Sequence, residues 1–541
     1  MISNLRIKAS FLSALLLASS WTMPAQGEHP EPPLVRSKPE SQAERDADVV
    51  VYGATAGGVM AAVAAARQGV NVVLLEPRNH VGGMLSGGLG RTDIDGQEHL
   101  IGGLALEFFR RAGKHYGKDL AWIFEPHVAE ETLKSMLAEQ KVPVKFGQVL
   151  ASIEKSDGRI RSLKTTDGNN YSAKAFIDAT YEGDLMKAAG VAYSVGREGR
   201  DTYGESLAGR RDLLRSNHQV NFPISPWKDG KLLPYITAEE NLAPTGVGDG
   251  KIQAYNFRLC LTNVPENRIP IAQPEGYDPG RYELLRRCFE VGGDKVNGIL
   301  GIKPMPNGKS DVNAGAPISL NLLGANQDYP DGSLERRKEI WKEHLDWTHG
   351  LVYFVQNDPC VPENIRKKYS EWGLCKDEFT DTGGWPHQLY IREARKMKGE
   401  YLLTQRDLME DLRKNDRIGI AGYNIDIREV QWVSMRTYFF PKAEDQVYME
   451  GYLSHPVKPW DIPYRALLPR FSECQNLLVP VCISASTIAF ASFRMEPQFM
   501  IAGQAAGTAA ALASKAGIAV HDVPIAELQK CLRDGGQILD L

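Results

Sequence analysis

The feature that most constrains this chain is an apolar, β-branched run that ends in a glycine-rich turn. Ala47 to Tyr52 (ADVVVY) reads as a strand buried on both faces, as in a parallel sheet. Gly53 to Gly58 (GATAGG) turns the chain. Val59 to Gln68 is an alanine-rich helix, and Val70 to Leu75 is a second strand closed by Glu76. Strand, glycine turn, helix and strand in about thirty residues make a βαβ unit.

That unit points to a dinucleotide. Its first glycine makes the tight turn, its second admits a pyrophosphate, and its third packs helix on strand. Here Thr55 replaces the second glycine, and its hydroxyl is itself a candidate phosphate ligand. Backbone N–H groups at the helix start are expected to hold the diphosphate. Glu76 lies twenty-three residues after Gly53. A carboxylate there accepts from both ribose hydroxyls and repels a 2′-phosphate. The competing reading is a tight βα turn without a ligand.

Two further segments extend the pattern. Gly82-Gly83-Met84 and Ser86-Gly87-Gly88-Leu89-Gly90 follow the acidic residue, and so many glycines suggest backbone lying against a flat or anionic ligand. Arg494-Met495-Glu496-Pro497 precedes Gly503-Gln504-Ala505-Ala506-Gly507. Gly503 is expected to open a helix whose positive end faces the site. A surface loop and a small-residue packing helix are the bland alternatives.

The chain resembles the FAD-dependent oxidoreductases with a glutathione-reductase-type flavin domain. Within them it is similar to the often-secreted bacterial group labelled "xanthan lyase-related". The motifs are DVVVYGATAGGVMAA (48–62), GGMLSGGLGRTD (82–93), EPHVAE (125–130), FIDATYEGDLMKAAGV (176–191), VGRE (195–198), YIREARKMKGEYLLTQRD (390–407), IPYRALLP (462–469) and RMEPQFMIAGQAAG (494–507). The resemblance implies a Rossmann-type α/β flavin domain with an inserted α+β substrate domain, and FAD as cofactor. It implies that Thr180 ends a strand returning to the flavin domain and that Val149 sits near the adenine. The expected cofactor contacts are then Gly53, Thr55, Ala56, Gly57, Gly58, Glu76, Pro77, Arg78, Gly82, Gly83, Met84, Val149, Thr180, Gly503 and Gln504. Where this group often carries histidine, the chain has Arg428 and Thr487. A lyase needs a base beside a neutralised uronate carboxylate, and no residue pattern singles that out.

Flavin oxidation needs a donor held over the ring and a group for the accompanying proton. The candidates are Arg392, Glu393 and Arg395 beside Tyr390, and Tyr464-Arg465 after Pro463. An arginine is suited to a carboxylate substrate. The alternatives are a solvated ion-paired face for the first group and interdomain packing for the second. His127 is a candidate acid or base, or a structural histidine. Aromatic residues from Trp341 to Tyr390 either stack on a sugar or fill the core.

The expected organisation is a signal peptide over 1–27, a disordered linker over 28–46, and a flavin domain from 47–190 and 466–517. A substrate domain fills 191–465, and a helical tail covers 518–541. Arg6 and Lys8 before the apolar run Phe11 to Ser20 predict export. No later apolar run is long enough to span a bilayer. A net charge of −4 marks no nucleic-acid partner. The expected partners are a small-molecule substrate and an electron acceptor. Seven scattered cysteines allow one or two disulfides, and with no CxxC and no H-x-x-x-H no metal site is predicted. The function predicted is two-electron chemistry on a small organic molecule, with carbohydrate-derived compounds among the candidates. A polysaccharide lyase, an NAD-dependent dehydrogenase and a non-catalytic flavin-binding protein are the alternatives.

Overall fold

Alternation along the first strand builds the centre of the molecule. The structure, a computed structural model, describes residues 45–541 except 93, 95, 214–218, 411 and 437–443. The expected signal peptide, and the linker up to residue 44, lie outside the described residues. Strand β1 (Arg45–Tyr52) is central in a sheet. Its Val49 and Val51 enter one apolar cluster, and Val50 and Tyr52 enter another on the opposite face. Both faces are therefore covered, as a parallel strand requires.

Helix α1 (Ala56–Arg67) and strand β2 (Val72–Leu75) complete the βαβ unit. Strand β3 (Val144–Lys145) pairs in parallel with β2, and β2 with β1. On the other side β1 pairs in parallel with β6 (Asn170–Asp178). The short strand Leu477–Leu478 pairs in parallel with the C-terminal half of β6. Strands β4 (Leu150–Ser156) and β5 (Arg159–Thr165) form an antiparallel hairpin on the N-terminal half of β6.

Three expectations shift. Strand β1 starts two residues earlier than the linker boundary, because β6 is long enough to pair Arg45 and Asp46 with Tyr171 and Ser172. The alternation from 142 to 177 predicts a meander, but its first segment, 142–146, joins the parallel sheet through β3 instead. The C-terminal helix spans Glu496–Ala516 instead of starting at Gly503, with Pro497 in its first turn, where its missing N–H costs nothing.

Small residues decide how that helix packs. A Cβ at Gly503 would overlap the carbonyl of Gly57, and one at Gly507 would overlap that of Ala61. The helix therefore lies directly on α1, backbone to backbone. The inserted region contains a five-stranded antiparallel sheet in the order Arg268–Ile269, Gly373–Cys375, Leu259–Thr262, Lys309–Ala314, Leu300–Pro304. Its long helix Leu334–Asn357 is capped by Ser333, which accepts from the Arg336 N–H. One apolar cluster runs through both regions, and Trp347, Phe354 and Trp385 are part of it. These aromatics are core. No described helix is long and apolar enough to cross a membrane.

Candidate active site

The turn after β1 is built around a carboxylate. Gly53 has φ +99°, which favours glycine, and a Cβ there would lie 2.9 Å from the backbone N of Thr180. Glu76 Oε2 accepts from Ala54 N–H at 2.6 Å, and Oε1 accepts from Arg78 N–H at 2.9 Å. The carboxylate is thus clamped across the mouth of the turn, with burial raising its pKa. Pro77 is half-buried beside it. Burial opposes the charge of Arg78, but Tyr329, Glu182 and Glu76 hold its pKa above the ordinary value. Val149 is half-buried and follows Gln148, whose N–H donates to Glu76 O at 2.9 Å.

Thr55 corrects an expectation. Its hydroxyl donates to Ala179 O at 2.8 Å and accepts from Gly58 N–H at 3.1 Å, so it caps α1 and ties the turn to β6. Its proton is already committed. Ala56 opens the helix and Gly57 meets the C-terminal helix. A Cβ at Gly58 would overlap the carbonyl of Gly53. Thr180 donates its hydroxyl to Asp178 Oδ1 at 2.7 Å.

The second glycine segment is shaped by protein neighbours. Gly82 N–H donates to Ala54 O at 2.7 Å. Cβ atoms at Gly83 and Gly88 would overlap the Tyr181 hydroxyl and the Arg258 carbonyl. Met84 N–H donates to Tyr181 Oη at 2.9 Å, and Tyr181 donates to Glu496 Oε1 at 2.7 Å. Glu496 Oε2 and Gln498 Oε1 are buried with no hydrogen-bond partner among the described residues. Burial pushes the Glu496 carboxyl up to about 8, although the Tyr181 hydrogen bond works the other way. The first turn of the Glu496–Ala516 helix therefore presents a mostly protonated acid at neutral pH. Gly503 lies mid-helix against α1, and Gln504 Oε1 accepts from Leu104 N–H at 2.7 Å. Both serve helix packing rather than the helix start.

The five expected catalytic residues separate. Arg392 is 3% exposed, and its Nε and Nη2 have no hydrogen-bond partner among the described residues. Its guanidinium stacks over Tyr390, 4.6 Å from the ring centre. Burial, with repulsion from Arg428 and Arg494, brings its pKa down to about 9, against the attraction of Tyr390 and Asp426. Arg494 is paired to Asp426 Oδ2 at 2.7 Å. Glu393 instead accepts from Gln253 N–H and faces Lys396. Arg395 is taken up by Asp184 and Asp331 at 2.8 and 2.9 Å. The Tyr464 hydroxyl donates to Val520 O at 2.7 Å, inside the core. Arg465 is half in solvent and pairs with Asp416. Tyr464 and Arg465 both hold scaffold contacts. Thr487 does the same: its hydroxyl donates to Gly196 O at 2.8 Å.

The family comparison settles the class. A family model described as FAD dependent oxidoreductase matches residues 48–532. The chain belongs to that family. FAD is its cofactor, and the parallel sheet with an additional domain agrees with a Rossmann-type FAD-binding fold. No curated protein matches the chain. Among solved structures, T. acidophilum thioredoxin reductase is 26% identical over 25% of this chain and 35% of its own, with a TM-score of 0.17. Thermovibrio ammonificans THI4 is 20% identical over 28% of this chain and 66% of its own, with a TM-score of 0.22. L-amino acid deaminase from Proteus vulgaris is 16% identical over 30% of this chain and 54% of its own, with a TM-score of 0.23. The chain thus spans about a third of the length of the reductase it matches.

Proposed function

We propose that this FAD-dependent oxidoreductase acts on a small organic acid, whose carboxylate is held by Arg392. The observation that carries the reading is that buried guanidinium with two donor atoms unpartnered among the described residues. Arg428 and Arg494 lie close enough to depress its pKa, and Asp426, already paired with Arg494, is the compensating carboxylate. A buried charge without a partner is costly, and an incoming carboxylate offsets that cost with a charge-assisted hydrogen bond. With a pKa of about 9, Arg392 still carries its charge at neutral pH.

The fit to FAD rests on the turn. Gly53 lets backbone approach closely, α1 begins at the turn with a positive N-terminal end, and the clamped Glu76 carboxylate has lone pairs left for ribose hydroxyls. Pro77, Arg78, Val149 and Thr180 flank that position. Bound FAD supplies acceptance of two electrons from the substrate carbon. Glu496, at the first turn of the C-terminal helix, takes the accompanying proton on Oε2 in its ionised form, a fraction that grows as pH rises toward about 8, with Tyr181 fixing the carboxyl. Residues 47–190 and 466–517 make up the flavin domain, and 191–465 the substrate domain. Membership of the secreted "xanthan lyase-related" group, export, and a sugar-derived acid as substrate belong to the same reading.

The test is anaerobic titration of the purified protein with aldonic, uronic, hydroxy and amino acids, each beside its methyl ester. Much faster bleaching of the flavin by an acid than by its ester is the expected result. An ester that bleaches as well as its acid removes Arg392 from substrate binding. Release of an unsaturated uronate without bleaching would indicate a lyase.

A further inference from the structure

Far along the chain from the arginines, two histidines that are twelve residues apart come together. His115 is the last residue of helix α2 (Gly103–His115), and His127 is the second residue of helix α3 (Pro126–Glu139). Glu125 stands at the start of α3. One ligand atom from each of His115, Glu125 and His127 lies within 4.8 Å of the others. We propose that these three residues form a binding site for one divalent transition-metal ion of the zinc class.

Three observations support it. The first is the donor set. Two imidazoles and a carboxylate are a common protein set for such ions, with an open position left for water. His115 is exposed and its ring can rotate inward, closing the separations to the roughly 3.3 Å that tetrahedral bonds of about 2 Å demand.

The second is the orientation of His127. Its Nδ1–H donates to Glu378 Oε1 at 2.7 Å, and Glu378 is 1% exposed. That bond fixes the tautomer and leaves the Nε2 lone pair for an ion, the usual carboxylate–histidine–metal relay. Glu378 also accepts from His127 N–H at 3.0 Å, so the ring and its backbone are held together.

The third is charge. Lys309 Nζ lies 2.7 Å from Glu125, 2.9 Å from Asp377 and 2.6 Å from Glu378. Three carboxylates thus share one ammonium, and two of the three are buried. The formal excess is two negative charges, the amount a divalent cation removes. Glu125 Oε2 also accepts from the Tyr116 hydroxyl and from Asn307 Nδ2, and Oε1 from Lys309, so at least one lone pair is left for the ion.

The consequence reaches the flavin side. The ion would clip the 116–125 loop at both ends. Phe124 N–H in that loop donates to Gly90 O at 3.1 Å, and Ile123 bridges to Arg91. The clip therefore bears on the second glycine segment.

The experiment uses the full-length, FAD-loaded protein freed of metal by chelation. Zinc chloride is titrated by calorimetry, and bound zinc is counted by elemental analysis. One zinc per chain is expected, with a higher unfolding temperature. His115→Ala, an exposed position that leaves the fold and the flavin spectrum intact, is expected to weaken zinc at least tenfold and to abolish the thermal gain. Glu378→Gln is expected to weaken it by about 10–100-fold through His127. Magnesium, which prefers oxygen ligands, is expected not to compete. Failure of the wild-type protein to bind zinc, or equal affinity in His115→Ala, overturns the proposal.

Discussion

Replacing Glu496 by glutamine should change how stability depends on pH. The Glu496 carboxyl titrates at about 8 in the folded chain, against 4.5 for an ordinary glutamate. Between those values the folded state binds one proton that the unfolded state has released. Stability therefore falls as pH rises, by about 1.4 kcal/mol per pH unit. The contribution is complete below about pH 4.5 and is lost on passing about pH 8. For an isolated group that gives a loss on the order of 5 kcal/mol across the window. The amide introduced by Glu496→Gln keeps an oxygen for the Tyr181 hydroxyl but cannot ionise. Asp178, raised by burial to about 6, and other groups titrate in both proteins, so the readout is the difference between them. Urea unfolding of both proteins at intervals from pH 5 to 8.5, in excess FAD, measures it. The curves should lie close at pH 5 and separate steadily above, with the variant more stable at pH 8. Parallel curves would refute the claim that burial holds a proton on Glu496.

Glu76→Ala removes the carboxylate across the glycine turn, and flavin retention should weaken by about 1.5–3 kcal/mol, the range for a hydrogen bond to a charged group; equilibrium dialysis against FAD checks it, and unchanged occupancy removes Glu76 from the site. Gly503→Val drives a side chain into the Gly57 carbonyl and should cost most of the soluble yellow protein, whereas Gly517→Ala, beyond the helix, should yield protein with bound flavin. Buried Cys260 and Cys375 have sulfur atoms 3.9 Å apart on adjacent strands. In an oxidising compartment their two thiols should give up two electrons and two protons to its thiol oxidants and form a disulfide. Alkylation and peptide mapping of exported protein should find the pair joined; two alkylated thiols would refute the pairing.

The flavin domain was legible because its signals are local. Val49 to Val51, the turn at Gly53 and the carboxylate at Glu76 are fixed by strand and turn chemistry within one βαβ unit, and the structure puts them where that chemistry requires. Reading was incomplete where a residue's role depends on what crosses it from far away. Glycine at 83, 88 and 503 suggested ligand contact, yet Tyr181, Arg258 and Gly57 explain the missing side chains. Thr55 suggested a phosphate ligand because the Ala179 carbonyl, 124 residues on, was invisible. Arg392, Glu393 and Arg395 read as one cluster, but their partners lie on different elements, so of the three only Arg392 has donors unpartnered among the described residues. Glu496 was read as part of a motif and missed as an acid, because its raised pKa comes from burial by distant segments. His115 escaped, and His127 reads only as a candidate acid or base or a structural histidine, for the same reason: two helices, not a short spacing, bring them together.

The most direct test of Arg392 as the substrate anchor is steady-state kinetics of Arg392→Met on an acid that bleaches the flavin and on its methyl ester. Arg465→Ala, a solvent-facing change, serves as the control. The account expects Arg392→Met to lower kcat/KM for the acid by about 10–150-fold, the equivalent of a charge-assisted bond, and to leave the ester rate within a few-fold of wild type. An equal loss on acid and ester, or no loss on the acid, would contradict it.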